Sequence, residues 1–83
     1  MKIDVYGPGC PNCKRLEQHT NEALAKLGQE AEVTKVEDVV AIAEAGVMRT
    51  PALGIDGKLV LQGRVPGVQE LSTIIAKAQG GLR

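Results

Sequence analysis

The chain has 83 residues, 43% of them hydrophobic, with a single aromatic side chain, Tyr6, and ten basic residues against ten acidic ones. This suits one small domain over residues 1–83 with an aliphatic core of Val, Leu, Ile and Ala. Zero net charge and one aromatic exclude a basic nucleic-acid stripe or a base-stacking platform, and no apolar run nears the ~18 residues that span a membrane.

Residues 2–6 alternate polar and apolar side chains, which predicts a strand and not a signal peptide, so a cytoplasmic protein is expected. Gly7-Pro8-Gly9 breaks the strand. Residues 11–27 predict a helix, with Cys10 in the N-cap region and Pro11 at the first helical position, where a missing N–H costs nothing. Leu16, Thr20, Ala23, Leu24 and Leu27 recur at helical spacing and mark its buried face. Cys13 shares that side and is expected to be the less exposed cysteine. Gly28 stops the helix. Residues 31–36 predict a second strand. Asp38 caps a second helix that runs to about Ala45, with Gly46 past its end. Residues 52–55 and 58–62 predict two strands joined by Asp56-Gly57, a strong hairpin signal. Residues 63–67 form a loop. Val68, Leu71, Ile74, Ile75 and Ala78 define a last helix ending at Gly80-Gly81. The order is β-α-β-α-β-β-α. A right-handed crossover makes the first two strands parallel, and the hairpin adds two antiparallel ones. The expected fold is α/β, a four-stranded mixed sheet with three helices distributed over both faces.

Cys10 and Cys13 are the only cysteines. Their spacing at a strand-to-helix junction permits a reversible disulfide. In a reducing cytosol such a pair is catalytic or metal-binding before it is structural. As a staple it would close a very short loop, where the chain-entropy gain is small. A thiol attacks a disulfide only as its thiolate. The first turn of a helix stabilises an anion through its free N–H groups and dipole, and Lys14 and Arg15 add positive charge. Cys10 is therefore the expected nucleophile. Cys13, one turn on, is the expected resolving thiol. The function that follows is thiol–disulfide exchange: reduction of protein or small-molecule disulfides and electron transport in cell redox homeostasis. It uses no cofactor beyond the cysteine pair and no bound metal.

Two alternatives stay open from the residues alone. Cys-x-x-Cys is half of a zinc site, and His19 is the obvious third ligand, so a metal-binding module or chaperone could use the same thiolates. Copper chaperones also place such a pair between a first strand and a helix, but in the order βαββαβ, whereas residues 38–45 here predict a helix. The other alternative is a non-catalytic redox sensor whose cysteine pair changes a partner's affinity.

The motifs together resemble the thioredoxin superfamily, and within it the small redox-active disulfide proteins of bacteria and archaea. The residues that carry this are Gly7-x-Gly9-Cys10-x-x-Cys13, Gly46-Val47-Met48-Arg49-Thr50-Pro51-Ala52-Leu53, Ile55-Asp56-Gly57-Lys58 and Gly63-Arg64-Val65-Pro66. The resemblance runs from Met1 to about Ile75. It implies a thioredoxin-like fold with a cis proline at Pro51 beside the cysteines, and a Thr50 backbone that pairs with an extended substrate. Taken alone, Pro51 would read as a trans proline opening a strand, because only about 5–6% of X–Pro bonds in folded proteins are cis. The resemblance also implies that Asp4 is the buried catalytic carboxylate that lies beneath the second cysteine and takes its proton. Without it, Asp4 reads as a solvated strand residue, Tyr6 as packing and His19 as a surface helix residue.

The chain departs from the usual Trp-Cys-Gly-Pro-Cys. Gly9 stands for Trp, and Pro11-Asn12 for Gly-Pro. Cys-Pro-x-Cys is closer to glutaredoxins, which bind glutathione partly through a Gly-Gly and an Asp at the start of the last helix. Here that place holds Pro66-Gly67-Val68-Gln69-Glu70. The expected partners are disulfide-containing proteins and a donor of the thioredoxin reductase type in preference to glutathione. Neither nucleic acid nor membrane is expected as a partner, and the expected state is a monomer.

Overall fold

The computed structural model describes residues 1–80. The elements run β1 (Lys2–Tyr6), α1 (Pro11–Leu27), β2 (Glu32–Val36), α2 (Val39–Glu44), β3 (Ala52–Ile55), β4 (Lys58–Gln62) and α3 (Val68–Gly80). The expected helix stop at Gly80-Gly81 reaches beyond them, since Gly81 lies outside the described residues. The strands form a four-stranded sheet in the order β2-β1-β3-β4. β1 and β2 are parallel, with Lys2 opposite Glu32 and Tyr6 opposite Val36. β3 is antiparallel to both β1 and β4. No helix among the described residues is long and apolar enough to cross a membrane.

Strand alternation divides the sheet into two faces. Ile3 and Val5 of β1 point to the same side as Leu53 and Ile55 of β3. There they meet Leu16, Ala23 and Leu24 of α1 and Leu71 and Ile75 of α3. α1 and α3 pack against each other on this face. On the other face Tyr6, Val36 and Ala52 gather around Ile42 of α2 and Val47. One sheet thus carries two helices on one side and one short helix on the other. This follows from the lengths of the apolar stripes, because the six residues of α2 bury only Ile42.

Local chemistry fixes the ends of these elements. Gly28 takes the left-handed conformation, φ 65°, and α1 closes with Gly28 N–H donating to Ala25 O and Gln29 N–H to Leu24 O. Asp56 and Gly57 both have positive φ, 50° and 83°, as a two-residue hairpin turn needs. The turn is also tied to β1: Asp56 N–H donates to Lys2 O at 2.7 Å, and Lys2 N–H donates to Asp56 Oδ1 at 2.8 Å. Thr20 is fully buried, and its hydroxyl is satisfied by donation to Leu16 O at 2.7 Å. Leu27 corrects the expected face of α1. It is 40% exposed, because the last turn runs past the core to an open groove with Lys26 and Gln69.

Leu71 is fully buried at the centre of the α1–α3 face, whereas Met48 is 85% exposed. Leu71→Ala should cost about 2–5 kcal/mol, a large share of the roughly 5–15 kcal/mol that holds a domain folded. Met48→Ala should stay within about 0.5 kcal/mol. Urea unfolding of both variants checks this, and equal losses would place the core elsewhere.

Candidate active site at the start of the first helix

Cys10 is the N-cap residue of α1, with extended backbone (φ −68°, ψ 162°). Its Sγ accepts the N–H of Cys13 at 3.2 Å, and its carbonyl accepts the N–H of Lys14 at 3.1 Å. A serine hydroxyl does this work at ordinary helix starts; here a sulfur satisfies one of the orphan amide donors. The first turn contains no acidic residue, while Lys14 and Arg15 follow at once. Cys10 and Cys13 are joined as a disulfide, with their Cα atoms 5.0 Å apart. The two sulfurs differ in access. Cys13 is 5% exposed and faces the core side of α1, whereas Cys10 is half-buried at the surface.

Gly7 sets this geometry. A Cβ built there would overlap Cys13 Sγ and come within 2.9 Å of Cys13 Cβ. Only a residue without a side chain lets the buried sulfur sit against the end of β1. The Gly7 N–H donates to Val36 O at 2.9 Å, so the strand pairing continues one residue past Tyr6 and holds the glycine in place.

The Thr50-Pro51 peptide bond is cis. Pro51 is buried and Thr50 exposed. The loop before them is clamped from β4. Gln62 Oε1 accepts the N–H of Met48 at 2.8 Å and of Arg49 at 3.2 Å, and Gly63 N–H donates to Pro51 O at 2.8 Å. The stem of Arg49 lies over Gly63, where a Cβ would meet Arg49 Cδ at 3.0 Å. Gln62 was not legible as a site residue, since a polar residue at the end of an edge strand is ordinarily solvated.

Asp4 is not beneath Cys13. On β1 it alternates with Ile3 and Val5 and so shares the opposite face with Tyr6, level with Thr34 of β2 and Gly54 of β3. The sheet separates it from α1, and it is only half-buried. Its charge is felt instead by Tyr6. The phenol pKa is raised above its usual value, first by burial and second by the Asp4 carboxylate. Gly54 leaves room for that ring, since a Cβ there would stand 3.1 Å from Tyr6 Cε2. The carboxylate that does share a cavity with Cys13 is Glu37. This pocket, of about 30 Å³, is lined by Val5, Gly7, Gly9, Cys13, Lys14, Lys35 and Glu37. An open depression of about 690 Å³ lies at the far end of α1, around Asn21, Leu24 and Gln29, remote from both sulfurs.

His19 turns away from the cysteines. Its Nδ1 lies 2.9 Å from Pro66 O, which can only accept, so Nδ1 carries the proton and ties α1 to the loop before α3. Among the described residues no three His, Cys, Asp or Glu side chains are grouped to hold a metal ion.

A family model described as "Thioredoxin domain" matches residues 1–76. The chain is similar to a thioredoxin of Methanothermobacter thermautotrophicus, 42% identical over 76 residues that cover 92% of this chain and 99% of the relative. It is 39% identical over 69 residues to a thioredoxin of Methanocaldococcus jannaschii, covering 83% of this chain and 79% of that one. A probable thioredoxin of Methanothermobacter marburgensis is 32% identical over 80 residues, covering 92% and 93%.

The placement of Asp4 has a direct optical test, because Tyr6 is the only tyrosine and there is no tryptophan. The unfolded chain releases the phenol proton first, near the ordinary pKa of about 10. The stability linked to Tyr6 is therefore complete below about pH 10 and is lost as pH rises through the higher folded value. Asp4→Asn should move the folded phenol titration down but not fully to the ordinary value, since burial remains. An ultraviolet titration unchanged by the substitution would put Asp4 on the other face.

Proposed function

We infer the working roles in this chain from one premise: it belongs to the thioredoxin-domain family and is a thiol–disulfide oxidoreductase. It acts on disulfide substrates and is recharged by a reductase donor. We propose that Cys10 attacks the substrate disulfide and that Cys13 resolves the product. One observation carries this reading: the accessible sulfur is the cap of a helix start free of acids, and the inaccessible one is one turn inside.

In the reduced protein the Cys10 thiolate keeps the position that accepts Cys13 N–H. Its negative charge there faces the positive end of α1 and the cations of Lys14 and Arg15. It attacks one sulfur of the substrate, forming a Cys10–substrate mixed disulfide and releasing the other substrate sulfur as thiolate. The Cys13 thiolate then attacks Cys10 Sγ. The Cys10–Cys13 bond forms, the second substrate thiolate leaves, and two electrons have passed to the substrate. The two sulfurs carry both electrons, so no cofactor enters the proposed cycle.

We propose that the exposed Thr50, held in place by Pro51 and the Gln62 clamp, offers its backbone to an extended substrate segment. Protein substrates suit the surroundings. Val39 and Val40, just past Glu37, and Met48, just before Thr50, are large apolar side chains left exposed. A thioredoxin reductase-like donor is favoured over glutathione. At the start of α3, Arg64 and Glu70 pair with each other at 2.7 Å, which leaves that carboxylate neutralised by the chain itself. The proposed setting is a cytoplasmic, monomeric, single-domain protein over residues 1–83, with no nucleic-acid or membrane partner.

Cys10→Ser should abolish reduction of insulin disulfides. Cys13→Ser should accumulate a covalent mixed disulfide, visible by mass and released by added thiol. Turnover of Cys13→Ser at the parental rate would remove Cys13 from the resolving role.

A further inference from the structure

We propose that Glu37, at the mouth of the small cavity beside Cys13, is the group that receives the Cys13 proton during resolution. The inference rests on the assignment of Cys13 as the resolving thiol and adds the proton acceptor.

Cys13 is 5% exposed, and its Sγ is packed against Gly7. A buried thiol must shed its proton before it can attack, and an apolar surrounding disfavours the thiolate. The proton therefore needs an exit. The cavity of about 30 Å³ that touches Cys13 has room for a single water, since about 10–15 Å³ of such volume suffices. Among the residues that line it, Glu37 is the acidic one, and Lys14 and Lys35 are the basic ones.

Strand parity explains why these groups are there and Asp4 is not. Lys35 lies opposite Val5 in the parallel β1–β2 register and so faces α1, where its Nζ stands 3.8 Å from Glu17 Oε1. Glu37 is one alternation further, just past the end of β2, and emerges on the same side. Its carboxylate reaches over the loop: Glu37 Oε2 would lie 3.2 Å from a Cβ at Gly9. The lack of a side chain at Gly9, which also has φ 91°, keeps that approach open. Glu37 itself is solvent-exposed, so a proton it accepts passes on to bulk water.

In the step proposed, the Cys13 S–H proton passes through one cavity water to a Glu37 oxygen. The sulfur electron pair forms the bond to Cys10 Sγ, and the pair of the broken Cys10–substrate bond leaves with the substrate sulfur. Lys14 and Lys35 face the same cavity and stabilise the transient thiolate. Glu17 offsets part of the Lys35 charge from α1.

The test is the reaction of the reduced full chain with dithiobis(nitrobenzoate), followed in stopped flow. The first nitrothiophenolate is released by Cys10 attack, at a rate proportional to reagent. The second is released by Cys13 resolution, at a rate independent of reagent. Glu37→Gln should slow the second phase about tenfold at neutral pH. This is below the 10²–10⁴ of enclosed general bases because water substitutes in part. The first phase should stay unchanged or quicken. The slowed phase should recover as pH rises and hydroxide takes over, and Glu37→Asp should restore part of the rate. A second phase unchanged in Glu37→Gln, or both phases accelerated alike as a simple loss of negative charge would give, overturns the role. Cys13→Ser run beside it must show the first phase alone. If it shows both, the assignment of Cys13 fails, and the role of Glu37 with it.

Discussion

The sulfur of Cys10 is the N-cap of α1, and the active site depends on that single bond. One atom satisfies an otherwise orphaned amide at the start of a 17-residue helix and, in the proposed mechanism, also bears the negative charge that attacks substrate. These demands agree in sign. An amide that donates to a neutral cap is worth about 0.5–2 kcal/mol, and hydrogen bonds to charged groups reach about 1.5–3 kcal/mol. Ionisation of Cys10 therefore strengthens the cap, while the cap and the helix dipole favour ionisation. Pro11 contributes by having no N–H that needs an acceptor at the first helical position, and the lack of acids in the first turn leaves the field unopposed.

The rest of the architecture positions the second sulfur and holds the Thr50-Pro51 loop. β1 pairs on both edges, so its C-terminal end is fixed by hydrogen bonds from β2 and β3. Gly7 extends that rigid end and leaves space for Cys13 Sγ, which is why burial of Cys13 is a property of the sheet as much as of α1. β4 reaches back through Gln62 and Gly63 to hold the segment that ends in Thr50-Pro51. Gly7 and Pro51 are thus anchored by backbone hydrogen bonds, and the exposed Gln62 side chain adds the clamp on Met48 and Arg49.

Much of this was legible in the sequence because its signals are local. Pro11 and Gly28 bracket α1, Asp56-Gly57 makes the hairpin, and the period-two pattern of residues 2–6 gives β1. The position of Cys10 at the helix start follows from the same punctuation. What was not legible depends on which way a side chain faces relative to a distant element. Asp4 has the sequence offset of a carboxylate beneath the second cysteine, but Ile3 and Val5 claim the α1 face and turn Asp4 to the other. Glu37 lies far in sequence from Cys13, and Gln62 from Met48 and Arg49, and only the β1–β2 and β3–β4 registers bring each to its neighbour. Leu27 fits the helical period but lies beyond the end of the core it would face. The signal that separates Asp4 from Glu37 is parity counted from Val5 and Lys35, which needs the strand register first.

The central claim is that the cap makes Cys10 the thiolate. The direct measurement is the rate of alkylation of each cysteine in the reduced protein as a function of pH, with adducts mapped by mass. The account predicts that Cys10 reacts first and titrates below the ordinary thiol value of about 8.5, while Cys13 is labelled only slowly. A Cys10 that titrates at or above that value, or a Cys13 that is labelled first, would contradict it.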